Sequence, residues 1–116
     1  MTREGTSPSF DSHLDALGHV DRRRLLLALL DARADGDLPV EVSQVAHGAA
    51  ETDGGLSMHH VHLPKLDDYG FVDADADGDA VTTGPRFDEI RPLLELLDAN
   101  REQLADDWLH QPRLRQ

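Results

Sequence analysis

Apolar positions recur at helical spacing along most of this chain and alternate in one short stretch past its middle. Phe10, Leu14 and Leu17 predict a short first helix closed by Gly18. Leu25, Leu26, Leu29 and Leu30 predict the apolar face of a second helix over 21–33, with Arg23, Arg24 and Asp31 turned elsewhere. As the most apolar element, it is expected at the centre of the core. Leu38-Pro39-Val40 reads as an extended connector, and 41–48 as one brief helix with Val42, Val45 and Ala46 inward. After a loop with Gly54-Gly55, Ser57 is placed to cap a fourth helix. Leu56, His59, Leu63, Leu66 and Gly70 share one face of that helix, and Ser57, Val61, Lys65 and Asp68 lie opposite. Pro64 either kinks this helix or stands in its first turn, and the period carried through Leu56, His59 and Leu63 favours a kink.

Alternation then takes over. Residues 71–74 and 80–83 read as two strands around an Asp77-Gly78 turn. Counting outward pairs Ala74 with Val81 and Val72 with Thr83 on the inner face, which leaves Asp73, Asp75, Ala80 and Thr82 outside. Beyond Gly84-Pro85, Ile90, Leu94, Leu97, Arg101, Leu104 and Trp108 step by four and three, a heptad seam interrupted by one arginine. Pro92 is expected to split a short piece from a main helix over 92–109. The order is four helices, a hairpin and a helix, without the strand–helix alternation of a parallel sheet. It predicts a mainly α fold with a β-hairpin wing, a winged helix-turn-helix. Residues 1–9 are expected to be a disordered tail, 10–84 the domain, 85–109 the C-terminal helix and 110–116 a flexible tail.

Composition changes this picture in two ways. The chain has no cysteine, which excludes disulfides, thiolate metal sites and cysteine nucleophiles. It carries 23 acidic against 11 basic residues, a net charge of −12, and Lys65 is its single lysine. Nucleic-acid binders ordinarily present a basic surface. Acid-rich, lysine-poor composition also suits a cytoplasm of molar salt, where self-repulsion is screened within roughly 3 Å. A halophilic source is therefore expected. The longest apolar run, 25–30, is far too short for a bilayer, and no apolar signal segment opens the sequence, so a cytoplasmic location without membrane contact is the expectation.

The run His62-Leu63-Pro64-Lys65-Leu66-Asp67-Asp68-Tyr69-Gly70-Phe71-Val72 resembles the recognition helix and first wing strand of ArsR-like winged-helix regulators. Asp21-Arg22-Arg23-Arg24-Leu25-Leu26 resembles the arginine-rich start of their second helix. With the acidic balance, the likeness points to the small ArsR-like winged-helix proteins of halophilic archaea and covers roughly residues 14–83. It implies a DNA-binding fold, often dimeric. The chain departs from the family at Pro64, where a polar or basic residue is usual, and it lacks the cysteine pair of the metal-sensing members.

The reading that follows is a transcriptional regulator that binds duplex DNA as a homodimer. Ser57, Met58, His60, Val61 and Lys65 would meet the major groove, and Arg22, Arg23 and Arg24 the phosphate backbone. Ile90, Leu94, Leu97, Leu104 and Trp108 would form the dimer seam. The acidic wing (Asp73, Asp75, Asp77, Asp79) opposes phosphate, and the alternative is a winged-helix protein-interaction module that does not bind DNA. A groove-facing side as acidic as the wing would favour the alternative. No catalytic motif appears, so no enzyme is expected. No metal or cofactor is expected either. His59, His62, His60 and His47 do not make a three-imidazole zinc set by spacing. Asp73-x-Asp75-x-Asp77-Gly78 matches the start of a calcium loop, but Gly84 stands where the bidentate glutamate belongs.

Overall fold

The computed structural model describes residues 9–46, 61–105 and 108–109. Helix α1 (Phe10–Ala16) starts at Ser9, whose hydroxyl accepts from the Ser12 backbone N–H at 3.2 Å. Ser9 is thus the cap of a helix and not part of a tail. Only Ala16 and Leu17 of this region enter the core, whereas Phe10 and Leu14 stay exposed, so the first helix docks by its C-terminal end. Helix α2 (Val20–Asp35) ends at Gly36, with backbone N–H groups of Gly36 and Asp37 returning to the Arg33 and Ala32 carbonyls. Leu25, Leu26 and Leu29 are fully buried, which puts α2 at the centre as its apolar density predicts.

The expected connector contributes a strand instead. β1 (Val40–Glu41) pairs antiparallel with β3 (Ala80–Thr83), Val40 opposite Val81 and Glu41 opposite Ala80. β2 (Val72–Ala74) lies on the other side of β3, in the order β1-β3-β2. A two-residue strand is invisible to periodicity, and its pairing comes from the distant hairpin. The hairpin register is the expected one, Val72 opposite Thr83 and Ala74 opposite Val81. Its turn differs: the Gly78 N–H returns to the Asp75 carbonyl at 3.0 Å, so the bend centres on Ala76 and Asp77. A four-residue loop keeps the same parity as a two-residue one, which is why the register survives. The architecture is thus a set of helices around a small three-stranded antiparallel sheet.

Two glycines hold the hairpin to the helix before it. Gly70 takes φ of +83° and ends α4 (Leu63–Asp68), while the Phe71 N–H returns to Leu66. Gly84 passes so close to that turn that an added Cβ would stand 2.5 Å from the Gly70 carbonyl oxygen and 2.9 Å from the Val72 backbone. The Arg86 N–H then donates to the Gly70 carbonyl at 2.8 Å, which launches the final helix α5 (Phe87–Ala99).

Helix α5 departs from the expected seam. It runs unbroken through Pro92, which sits on the exposed side, and it stops at Asn100, whose side-chain amide bonds back to the Leu96 carbonyl. A 3-10 turn at Arg101–Gln103 follows. Phe87, Ile90 and Leu94 are fully buried in the hydrophobic core, where this helix packs on α2. Ile90 and Leu94 therefore belong to the chain's own core and not to a dimer seam. Leu104 and Trp108 lie beyond the helix end, so the heptad has no continuous helix to run along. Leu97 is half-buried at the edge of the core. Among the described residues no helix is long and apolar enough to cross a membrane.

Replacing Gly84 by alanine is expected to destabilise the fold by about 2 kcal/mol, within the range for forced overpacking. Gly36→Ala, where nothing stands near the added methyl, should cost about 1 kcal/mol through backbone strain alone. Urea denaturation midpoints in molar potassium chloride check the order of the two.

Candidate functional site: the outer face of the fourth helix and the polar node beneath it

The chain enters α4 through a wider π-type turn at Val61 and His62, and regular α-helical turns begin at Leu63. Pro64 therefore stands in the first turn, where its missing N–H leaves no α-helical bond unmade. Whether the helix bends before this turn falls on residues 56–60, outside the described residues. Leu63 and Leu66 face the core, and Val61 and Pro64 are exposed with Lys65 beside them, which is the division that the helical period predicts. Ser57, Met58 and His60, with Leu56, His59 and His47, lie outside the described residues. Between α4 and the hairpin runs an open cleft lined by Leu63, Pro64, Asp67, Asp68, Asp75 and Asp77. Four of these six lining residues are aspartates, two from α4 and two from the hairpin.

The arginine triplet does not face outward. Arg22 is 7% exposed; its Nε donates to the Ala16 carbonyl at 3.1 Å, its Nη2 to the Asp15 carbonyl at 2.9 Å and its Nη1 to His62 Nδ1 at 2.9 Å. Arg23 donates to the Leu17 and Trp108 carbonyls, both at 2.7 Å, with its guanidinium 5.2 Å from the Trp108 ring centre. Arg24 donates to the Leu109 carbonyl at 3.1 Å and the Val45 carbonyl at 3.2 Å. The reason is local. A short helix ends in carbonyls that have no intrahelical partner, and a guanidinium offers five donors in a fixed fork. Three consecutive residues on a helix point about 100° apart, so they reach the end of α1, the C-terminal segment and α3 (Val42–Ala46) in turn. Their assignment to the phosphate backbone is thereby replaced by a structural one. Burial pulls the Arg22 guanidinium below its ordinary value against the opposing pull of Asp15 and Tyr69, and it remains a cation.

Lys65, the other cation proposed for DNA, lies 2.7 Å from Asp15 Oδ2, and the Tyr69 hydroxyl donates to the same oxygen at 2.5 Å. The hydrogen bonds from Lys65 and Tyr69 hold the Asp15 carboxyl below its usual range, and Asp15 in turn raises both partners. Elsewhere Arg33 pairs with Asp88 at 2.8 Å, Arg86 with Glu89 at 3.7 Å, Arg91 with Asp88 and Glu95 at 3.2 Å each, and Arg101 with Asp98. Every arginine and lysine among the described residues thus has a partner inside the chain.

Sequence reasoning missed the polar node at the start of α2. His62 and Asp21 are both buried, His62 Nε2 lies 3.9 Å from Asp21 Oδ2, and the His19 ring centre is 4.3 Å from that of His62. A signal for Arg22 was present: with Leu25, Leu26 and Leu29 it stands at i, i+3, i+4 and i+7, on the buried face of α2. His19, Asp21 and His62 approach one another closely enough to suggest a metal set. The hydrogen bonds argue otherwise. His19 Nδ1 accepts from the Asp21 N–H, and a guanidinium can only donate, so His62 Nδ1 presents its lone pair to Arg22. The proton of neutral His62 then sits on Nε2, the nitrogen that would have to bind the ion. On the hairpin, Asp75 Oδ1 accepts from the Asp79 N–H at 2.9 Å and braces its own turn, between strands and not between the helices of a calcium loop.

Arg22→Ala is expected to cost about 3 kcal/mol or more, because it strands two buried carbonyls and a buried imidazole. Arg22→Lys should recover little, since one ammonium cannot span three separated acceptors. The exposed Arg33→Ala should stay within about 0.5 kcal/mol. Urea titrations of the three variants test this. The Asp15 contribution has a defined sign: a carboxyl held low in the fold stabilises above its unfolded value and loses that effect as pH falls through the folded value. Asp15→Asn should therefore flatten the loss of stability below about pH 4, as read from thermal melts between pH 3 and 6. Compared with protein-family models, curated proteins and solved structures, this chain finds no match.

Proposed function

We propose that the chain is a winged helix-turn-helix module that works by contact with another protein through the acidic cleft between α4 and the hairpin. One observation carries this reading. The cleft that would face a duplex is lined by Asp67, Asp68, Asp75 and Asp77, while every cation among the described residues is already engaged within the chain. DNA affinity rests first on cations that neutralise phosphates. Molar salt screens the far field, but carboxylates at contact distance from phosphate keep their repulsion. A protein that brings its own basic side chains needs none from this chain and gains charge complementarity at the cleft. The helix–helix–hairpin order around β1 supports the module reading, although a fold does not by itself choose a ligand.

A homodimeric regulator that binds duplex DNA is the second reading. It is favoured by the row of Val61, Pro64 and Lys65 on the outer side of α4. Apolar side chains there suit contact with thymine methyl groups, which needs no charge. Its dimer contacts would use surfaces other than Ile90 and Leu94.

Two measurements in molar potassium chloride separate the readings. A protein retained on the immobilised chain is expected to bind at least tenfold more weakly when Asp67, Asp75 and Asp77 are changed to asparagine, as read by direct titration of that purified protein. Gel shifts with genomic fragments are expected to show no specific complex. Specific retardation that disappears with Lys65→Ala and Val61→Glu, together with no partner sensitive to the cleft substitutions, would overturn the proposal in favour of DNA.

A further inference from the structure

The node under α4 contains two buried side chains whose bonding depends on a single proton. His62 is 3% exposed and Asp21 4%. Arg22 Nη1 donates to His62 Nδ1 at 2.9 Å, a bond that exists only while Nδ1 keeps its lone pair. On the other edge of the ring, Nε2 is 3.9 Å from Asp21 Oδ2, too far for a hydrogen bond. The second oxygen of the same carboxylate, Asp21 Oδ1, is buried and has no hydrogen-bond partner among the described residues. A buried carboxylate oxygen without a donor is costly and calls for an explanation. That carboxylate stabilises positive charge on the ring beside it.

We propose that His62 is a proton-operated latch on α4. When neutral, it ties the first turn of α4 to Arg22, and through Arg22 to the last carbonyls of α1. When protonated, it carries N–H on both nitrogens, cannot accept from Arg22, and faces that guanidinium with like charge. Asp21, which the Nε2 edge of the ring already faces, holds the added charge, and the tie between α4 and the end of α1 is released. The proton comes from solvent, and Nδ1 of His62 receives it; no other bond is made or broken covalently. His19, whose side chain is 42% exposed and whose ring lies against His62, leads from solvent to the pair.

The charged and titratable groups around His62 agree with this assignment. Among the described residues, those that meet the ring from α2 and its cap are His19, Asp21 and Arg22. On α1, the Asp15 carboxylate is held by Lys65 and Tyr69, and the His13 ring packs on Phe71. Lys65 stands on α4 itself. Among the described residues, Asp21 is a carboxylate that faces the His62 ring, and Arg22 is a cation in contact with it. Release would alter the seating of the helix that carries Val61, Pro64 and Lys65. The latch is independent of whether that outer face meets a protein or a duplex.

Nitrogen-15 long-range correlation spectra of the full chain, from pH 8 to pH 5 in molar potassium chloride, test the latch. At pH 8 His62 is expected as the Nε2–H tautomer. As it takes up its second proton, the backbone amides of residues 61–65 should shift with the same midpoint, and their hydrogen-exchange protection, corrected for intrinsic rates, should fall about tenfold, the loss of one hydrogen bond to a charged group. His62→Gln keeps an acceptor for Arg22 but cannot titrate, and it should abolish the coupled shift. Should that variant not fold, Asp21→Asn provides the check, because removing the receiving carboxylate should move the midpoint to lower pH. The Nδ1–H tautomer at pH 8 would overturn the proposal. So would α4 amides that stay still while His62 titrates, or an unchanged pH response in either variant.

Discussion

The fold depends on three adjacent guanidinium groups spent on backbone carbonyls. Helix α1 is too short to satisfy its own ends, and the carbonyls of Trp108 and Leu109 take their donors from Arg23 and Arg24 of α2. Buried carbonyls without donors are costly. Arg22, Arg23 and Arg24 lie where α2 passes all of them, and each supplies more than one donor. The result is that α1, α3, α4 and the C-terminal segment are fastened to one turn of one helix. Apolar burial by Leu25, Leu26 and Leu29 drives α2 into the centre, and the arginines one turn earlier decide what is held around it.

This arrangement also shapes the surface. A chain with few cations has committed those described to intramolecular partners, so its outward face is left to carboxylates and a few exposed apolar side chains. The α4–hairpin cleft shows the consequence most clearly, with aspartates on both walls. The same distribution that keeps an acidic protein hydrated in salt withholds the phosphate anchors on which duplex affinity ordinarily rests. Beneath that surface, His62 links the helix to the node through a bond that requires a neutral ring. Stability at the node and the seating of α4 therefore share one atom, Nδ1 of His62.

Much of this was legible along the chain. The hairpin register followed from alternation, because a one-residue slip would have turned Val72 and Val81 to solvent. The burial of Leu63 and Leu66, and the exposure of Val61, followed from the helical period. The spacing at Ile90, Leu94 and Leu97 also marked a buried stripe correctly, yet a stripe does not say what covers it. In the structure Ile90 and Leu94 enter the chain's own core where their helix packs on α2, and Asn100 ends the helix before the stripe reaches Leu104. Strand β1 carries no period because it has two residues, and its partner β3 lies about forty residues away in the hairpin.

What the sequence by itself determined is the set of properties that depend on near neighbours: which residues are helical, which alternate, where Gly70 must turn, and that the chain is acidic and without thiols. What only the tertiary structure decided is which polar groups are used up. Arg22, Arg23 and Arg24 look like a basic patch in one dimension, and they become internal staples once the end of α1 and the C-terminal segment are brought beside them. His62 looks like one histidine among several until Arg22 and Asp21, forty residues earlier, close around it. The physical reason is that hydrogen bonding and desolvation are settled by contacts in space, and a charged side chain carries no mark in the sequence of whether its partner will be water, a ligand or a carbonyl of its own chain.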